Sequence, residues 1–190
     1  CPGDYVADLT GTGTIATGGT TSTGGSTSIG GTASTGGSTS IGGASSTGGA
    51  HYNSTALCTG NSETCAIGDG GHVLCWGWNY SGKIGNGTTT DSAVPVEVVG
   101  ISNGVAVSNG TYHSCAVLND GTVQCWGANH YGQLGNGSAN SSIAQSAIPV
   151  TVAGVTSART VASGDNHSCA LLSDGTVQCW GENDSGQHGN

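Results

Sequence analysis

The sequence predicts an all-β chain of three repeated antiparallel units preceded by a long extended segment, and three observations carry that reading. One block occurs three times: two cysteines separated by nine residues, then Trp-Gly, at Cys65 and Cys75, Cys115 and Cys125, and Cys169 and Cys179. Between the cysteines of the later copies lie Ala-Val-Leu-Asn-Asp-Gly-Thr-Val-Gln and Ala-Leu-Leu-Ser-Asp-Gly-Thr-Val-Gln, apolar runs split by a turn triplet ending in glycine. That is a hairpin signal. Ahead of the blocks, a Gly-Gly pair recurs every six residues from Thr17 through Ala50 without one slip. Repetition at fixed periods sets the architecture before residue propensity does.

Residues 1–16 form an N-terminal strand segment. Its run Asp4-Tyr5-Val6-Ala7-Asp8-Leu9 alternates like a half-buried strand, with Tyr5, Ala7 and Leu9 on one face and Val6 on the other. Residues 17–55 form a Gly/Ser/Thr-rich linker of hexads. Six is a multiple of both two and three, so the pattern suits an extended strand or a polyproline-type helix, and in either case Ile29 and Ile41 share a face. The same composition also suits a flexible, O-glycosylated stalk. Fully extended, the hexad run reaches on the order of 110 Å.

Residues 56–190 hold the three units. If Asn119-Asp120-Gly121 is a three-residue loop with glycine left-handed, Leu118 faces Thr122, Val117 faces Val123, and Cys115 lands opposite Cys125. A two-residue loop slips the pairing by one and sends the sulfurs to opposite faces. Turn and bridge therefore support each other. Asp69-Gly70-Gly71 and Ser173-Asp174-Gly175 give the same arithmetic for Cys65 with Cys75 and Cys169 with Cys179. Each unit continues through Gly82-Lys83-Ile84-Gly85-Asn86-Gly87, Gly132-Gln133-Leu134-Gly135-Asn136-Gly137 or Gly186-Gln187-His188-Gly189-Asn190. Two of them then reach a strand opened by proline, Pro95-Val96-Glu97-Val98-Val99 and Pro149-Val150-Thr151-Val152. Proline is tolerated at a strand start or edge because it donates no ladder hydrogen bond.

The run His-Ser-Cys-Ala, Asp-Gly-Thr-Val, Cys-Trp-Gly, Gly-Gln-Leu-Gly-Asn-Gly, Pro-Val resembles the regulator of chromosome condensation repeat, in the cysteine-bearing form of exported bacterial proteins. The resemblance implies that each repeat is one four-stranded blade, and in that family about seven blades close a propeller. This chain departs from the pattern. It has three copies, spaced 50 and 54 residues apart by their first cysteines, and the last copy reaches Asn190 before any Pro-Val strand. The expectation is an incomplete propeller of three blades, one lacking a strand from its own segment. The Asp4–Leu9 run is a candidate for that strand, paired within its own chain or donated to a neighbour.

Composition narrows the setting. The chain has 7% charged residues, 37 glycines, no Phe and no Met, so its core is modest and built from Val, Ile, Leu and four tryptophans. Small cores need staples, and eight cysteines supply them. Paired cysteines imply an oxidising location, extracellular or at the cell surface. Three hairpin pairs leave Cys1 and Cys58, which suit a bridge within one chain, a bridge between subunits, or a lipidated Cys1. Net charge is −9 with His neutral, and Lys83 and Arg159 are the only Lys or Arg side chains. Nucleic-acid binding draws its affinity from Lys and Arg neutralising phosphates, so that class is excluded. No apolar stretch is long enough to span a bilayer.

Candidate chemistry is thin, and no catalytic residue, cofactor or metal site is predicted. His113-Ser114-Cys115 and His167-Ser168-Cys169 place histidine near cysteine, but a nucleophile needs a free thiolate and these sulfurs are read as oxidised. Zinc ligation needs short cysteine spacings or convergent histidines. Asp120 and Asp174 precede turn glycines, where aspartate stabilises the turn. Trp76, Trp126 and Trp180 recur at one repeat position and read as blade core. Trp78 has no counterpart in the other copies; with Tyr80, aligned with His130 and Asp184, it is the candidate for a surface contact. Eight Asn-x-Ser/Thr sequons, at Asn53, Asn79, Asn86, Asn109, Asn136, Asn140, Asn166 and Asn183, are candidate glycan acceptors and equally turn asparagines.

These features predict a non-catalytic extracellular structural protein whose partner is itself. It is read as a subunit of a head-to-tail fibre or surface filament, with glycans as further partners, in which the N-terminal segment docks on neighbouring subunits. The alternative is a surface-anchored β-propeller-like protein-binding module.

Overall fold

The computed structural model describes residues 54–137 and 144–189. Cys1, the Tyr5, Val6, Ala7 and Leu9 strand, the hexad run, Asn53 and Asn140 lie outside the described residues. The described chain is all-β and folds into three antiparallel sheets, each one blade. Blade 1 holds β1 (Ala56–Thr59), β2 (Glu63–Ile67), β3 (Val73–Gly77) and β4 (Ser92–Glu97) in that order. Blade 2 holds β5 (Gly104–Asn109), β6 (His113–Leu118), β7 (Val123–Ala128) and β8 (Gln145–Thr151). Blade 3 holds β9 (Ala158–Ser163), β10 (His167–Leu172) and β11 (Val177–Gly181), and among the described residues β11 has a neighbour on one side only.

The central hairpin of each blade has the register that its loop arithmetic demands. Cys65 faces Cys75, Cys115 faces Cys125 and Cys169 faces Cys179. The three pairs are bridged, with Cα atoms 4.1, 4.0 and 4.0 Å apart. Cys58 is disulfide-bonded as well. In blade 2 the loop closes through the Leu118 N–H donating to the Thr122 carbonyl at 2.9 Å, with Gly121 left-handed at φ 82°. Asp120 accepts from both the backbone N–H and the hydroxyl of Thr122, at 2.9 and 2.7 Å, and Asp174 holds Thr176 in the same way at 2.9 and 2.7 Å. Those bonds to the charged form hold both carboxyls below their usual pKa. Blade 1 has Gly70 where the others have aspartate, and takes two left-handed residues, Gly70 and Gly71, in a short 3-10 turn instead.

One strand boundary differs from the sequence reading. Pro95 and Pro149 do not open their strands; β4 starts at Ser92 and β8 at Gln145. The register along β3 jumps between Cys75, opposite Val96, and Gly77, opposite Ser92, and β7 with β8 repeats the jump. Pairing thus resumes beyond an irregularity on an edge strand, where a missing N–H is tolerated.

The apolar core lies between blades. One cluster joins Ile67, Val73, Ile84, Val98 and Ile101 of blade 1 to Val107, Ala116, Leu118 and Trp126 of blade 2. A second joins Val117, Val123, Leu134, Val152 and Val155 of blade 2 to Ala158, Val161, Ala170 and Leu172 of blade 3. The first strands converge, with β5 packed against both β1 and β9.

Candidate functional site

The joint between blades 1 and 2 gathers the molecule's buried charge. The short turn after β3 carries Lys83 into the joint, where its side chain is fully buried. An ammonium has three donors, and here all three have acceptors. They are the Glu63 carboxylate, also fully buried, the Thr111 carbonyl at 2.6 Å and the Asn61 carbonyl at 3.3 Å. Burial pushes the Glu63 carboxyl up to about 7 and the Lys83 amine down, and the contact between them opposes both shifts. Leaving either partner alone in such a site is strongly destabilising.

The Lys83 main chain is used too. Its carbonyl accepts from the Trp126 indole N–H at 2.8 Å and from the Ser114 hydroxyl at 3.1 Å. Blades 2 and 3 repeat this link, with the Trp180 indole N–H donating to the Gln133 carbonyl at 2.9 Å. Trp126 and Trp180 therefore pin blades 2 and 3 to the turn of the blade before. Trp126 is fully buried, while Trp76 and Trp180 are half-buried.

Above Lys83 sit the two aromatics that the sequence sets apart. The Lys83 ammonium lies 5.4 Å from the centroid of the Trp78 ring, and the Trp78 and Tyr80 rings stack with centroids 5.3 Å apart at an interplanar angle of 12°. Tyr80 is 57% exposed, so the stack runs from a buried cation to a solvent-facing ring.

A histidine and a serine also meet in the joint between blades 2 and 3. His113 Nε2 and Ser168 Oγ are 2.7 Å apart, and the Ser168 hydroxyl donates to Ser163 Oγ at 3.1 Å. Both His113 and Ser168 are fully buried, and His113 Nδ1 has no hydrogen-bond partner. A nucleophile has to be open to substrate and its base held by an orienting group, whereas here the Ser168 hydroxyl is fully buried and nothing orients His113 through Nδ1. The pair's role is to satisfy polar groups between packed sheets. Burial, with Lys83 and then His167 adding positive charge nearby, lowers the His113 pKa to about 4. No group of three or more His, Cys, Asp or Glu among the described residues is arranged to hold a metal ion.

The model of the regulator of chromosome condensation (RCC1) repeat matches residues 70–117 and 120–171, and a second model of the same repeat matches 105–133 and 158–187. The chain belongs to the regulator of chromosome condensation repeat family. Its blades are similar to those of human WBSCR16, with TM-score 0.60 and 25% identity over 67% of this chain and 33% of that one. They are also similar to yeast RCC1 (Prp20) bound to Kap60, with TM-score 0.64 and 24% identity over 71% of this chain and 31% of that one. The chain spans about a third of the length of these structures. No curated protein sequence matches it.

Within that repeat frame the buried ion pair is a local substitution. Glu63 and Lys83 occupy the positions of His113 and Gln133 in blade 2 and of His167 and Gln187 in blade 3. Where blade 1 uses charge, blade 2 uses a neutral amide: Gln133 donates to Asn166 Oδ1 at 3.3 Å and accepts from the Tyr131 N–H at 2.9 Å. Of the chain's two Lys/Arg side chains, Lys83 is buried and Arg159 is exposed. The described residues contain no helix long and apolar enough to cross a membrane.

The sequons divide by burial. Asn79 is fully buried and donates to the Thr88 and Thr90 carbonyls at 3.0 and 2.9 Å. Asn109 is also buried and donates to the Cys58 carbonyl at 3.2 Å. A glycan on either nitrogen displaces these bonds in the folded blade. Asn86, Asn136, Asn166 and Asn183 are half-buried. The Asn166 amide donates to Glu182 at 3.0 Å, and Asn183 caps the His188 N–H at 2.8 Å.

Proposed function

We propose that this chain is a non-catalytic extracellular structural protein, a subunit of a self-assembling fibre or surface filament in which the N-terminal segment docks on neighbouring subunits. The observation that supports the reading best is that, among the described residues, β11 has a neighbour on one side only while the other two sheets are four-stranded. An unpaired strand edge is a template for strand addition. The Tyr5 to Leu9 run has the alternation such an added strand needs, and the hexad run gives it reach. Contacts of this kind that do not close propagate filaments. Three bridged hairpins are compatible with the oxidising setting of an exported assembly.

Electron microscopy of the full-length oxidised chain beside a version lacking residues 1–50 tests this reading. The expected result is filaments that disappear with the truncation. Dispersed particles in both samples sink it and favour the second reading, a surface-anchored binding module. That reading rests on the stack of half-buried Trp78 with exposed Tyr80, whose solvent-facing ring is suited to a protein contact.

A further inference from the structure

We infer that Lys83 and Glu63 condense into an intramolecular amide: the Lys83 Nζ is acylated by the Glu63 carboxyl, one water leaves, and strand β2 is joined covalently to the turn after β3. The inference concerns a single chain and does not depend on whether copies associate.

The reactants are in place and dry. Lys83 and Glu63 are in direct contact, and both side chains are fully buried. As an ion pair the contact is incompletely satisfied, since among the described residues no other residue donates a hydrogen bond to either Glu63 oxygen. A buried pair is repaid for its lost hydration only when further hydrogen bonds fill the remaining lone pairs. Burial accordingly moves both groups toward their neutral forms, an amine and a carboxylic acid. Those are the forms that condense.

The nitrogen is also aimed. Of the three Nζ protons, one goes to the Thr111 carbonyl at 2.6 Å, one to the Asn61 carbonyl at 3.3 Å, and the third to Glu63. Transfer of that third proton to the carboxylate leaves the nitrogen lone pair along the vacated direction, facing the carboxyl group, while the two carbonyls hold the amine in orientation. The lone pair adds to the Glu63 Cδ. The nitrogen then gives up one more proton to the departing hydroxyl, and the C–O bond breaks to release water. One C–N bond forms, one C–O bond breaks, and nothing is oxidised or reduced. The remaining N–H keeps the Thr111 carbonyl as its acceptor. Well-oriented intramolecular reactions reach effective concentrations of about 10⁵–10⁸ M, and a joint closed to bulk water limits the reverse hydrolysis.

The repeat itself does not require this pair. Blades 2 and 3 put His113 with Gln133 and His167 with Gln187 at the same positions. Blade 1 departs from them in its backbone too. Ser62 and Ser81, at φ 80° and 61°, are the non-glycine residues with left-handed backbone among the described residues; one adjoins Glu63 and the other lies two residues before Lys83. Strain of this kind persists where the surroundings enforce it, and it clusters at sites of function. The ionised pair is the precursor, and in the condensed chain Glu63 no longer titrates.

Intact-mass spectrometry of the full 190-residue chain, folded under oxidising conditions and then reduced and denatured, tests the inference. The expected mass is one water below that of the sequence. Chymotryptic digestion is expected to yield a branched peptide joining the Glu63 segment to the Lys83 segment, and trypsin is expected to leave Lys83 uncut. The double variant Glu63→His with Lys83→Gln gives blade 1 the pair of blade 2 and is expected at its full sequence mass, with far-UV circular dichroism checking that it folds. An unaltered chain that keeps its full sequence mass after prolonged incubation in the folded state overturns the inference, whatever the variant does. So does a lost water that persists in the double variant or that mild base restores. A cyclised aspartate at Asp69-Gly70, Asp120-Gly121 or Asp174-Gly175 loses the same mass, and its imide reopens in base whereas the amide does not.

Discussion

Blades 2 and 3 are built from nearly the same words and sit in different surroundings. Strand β6 reads His-Ser-Cys-Ala-Val-Leu and β10 reads His-Ser-Cys-Ala-Leu-Leu, yet every residue of β6 is buried while β10 alternates between buried and partly or fully exposed positions. The Cys115 to Cys125 bridge is fully buried, and the Cys169 to Cys179 bridge is half-buried. A blade has two apolar faces because it is made to lie between two others. Sandwiched strands read as continuous apolar runs, and a strand covered on one face shows alternation only in its burial, since its sequence was written for two. The environment of a repeat position is therefore set by the neighbouring blade rather than by the repeat's own residues.

The tryptophans test this most sharply. Trp126→Ala removes a fully buried ring and its bond to the Lys83 carbonyl, with an expected loss of about 3–5 kcal/mol. Trp180→Ala removes the same bond from a half-buried ring, with an expected loss of about half as much. Urea denaturation of the oxidised variants measures both. Equal losses would break the comparison and show that the two joints are energetically alike despite their different cover.

A second test uses acid. The His113 pKa is lowered to about 4 from an ordinary value of 6.5, with burial as the main cause. The unfolded chain binds a proton on this ring below 6.5 and the folded chain does not until about 4, so folding stability falls as pH drops through that window. The full effect is about 3 kcal/mol. Glu63 acts in the opposite sense. Its folded pKa, raised to about 7 by burial, favours the folded state as pH falls from 7 toward 4.5. Comparing the unaltered chain with His113→Gln separates the two, because the variant is expected to lose the acid-induced decline that His113 supplies while keeping the Glu63 term. Parallel stability curves from pH 7 to 4 would show that the ring is protonated in the folded state.

Local features were the legible ones. The ten-residue cysteine offset and the glycine-ended triplet decide the hairpin register within one short stretch, and the bridges follow from it. The proline strands were read as starting too late because the irregularity opposite Cys75 to Gly77 leaves no mark in residue pattern. The buried pair of Glu63 and Lys83 was missed, since twenty residues separate partners that only the blade joint brings together. A signal for it existed: where one repeat exchanges histidine for glutamate, the same repeat exchanges glutamine for lysine. Burial of the Asn79 and Asn109 sequons was equally hidden, because a turn asparagine at the surface and one beneath a blade carry the same three letters.

The smallest test compares two glycines that share a conformation and differ in company. Gly135 and Gly189 are both left-handed, with φ 61° and 83°. A Cβ on Gly135 would lie 2.8 Å from Trp180 Cδ1 and 2.9 Å from Val152 Cγ1, whereas one on Gly189 meets no described atom within 4 Å. Alanine at either position bears the backbone strain of a left-handed residue, about 1–2 kcal/mol. Only Gly135→Ala must also push an indole off its carbonyl, adding about 1–3 kcal/mol of overpacking. The difference between the two losses, measured by denaturation at concentrations too low for association, isolates the indole contact from the backbone term.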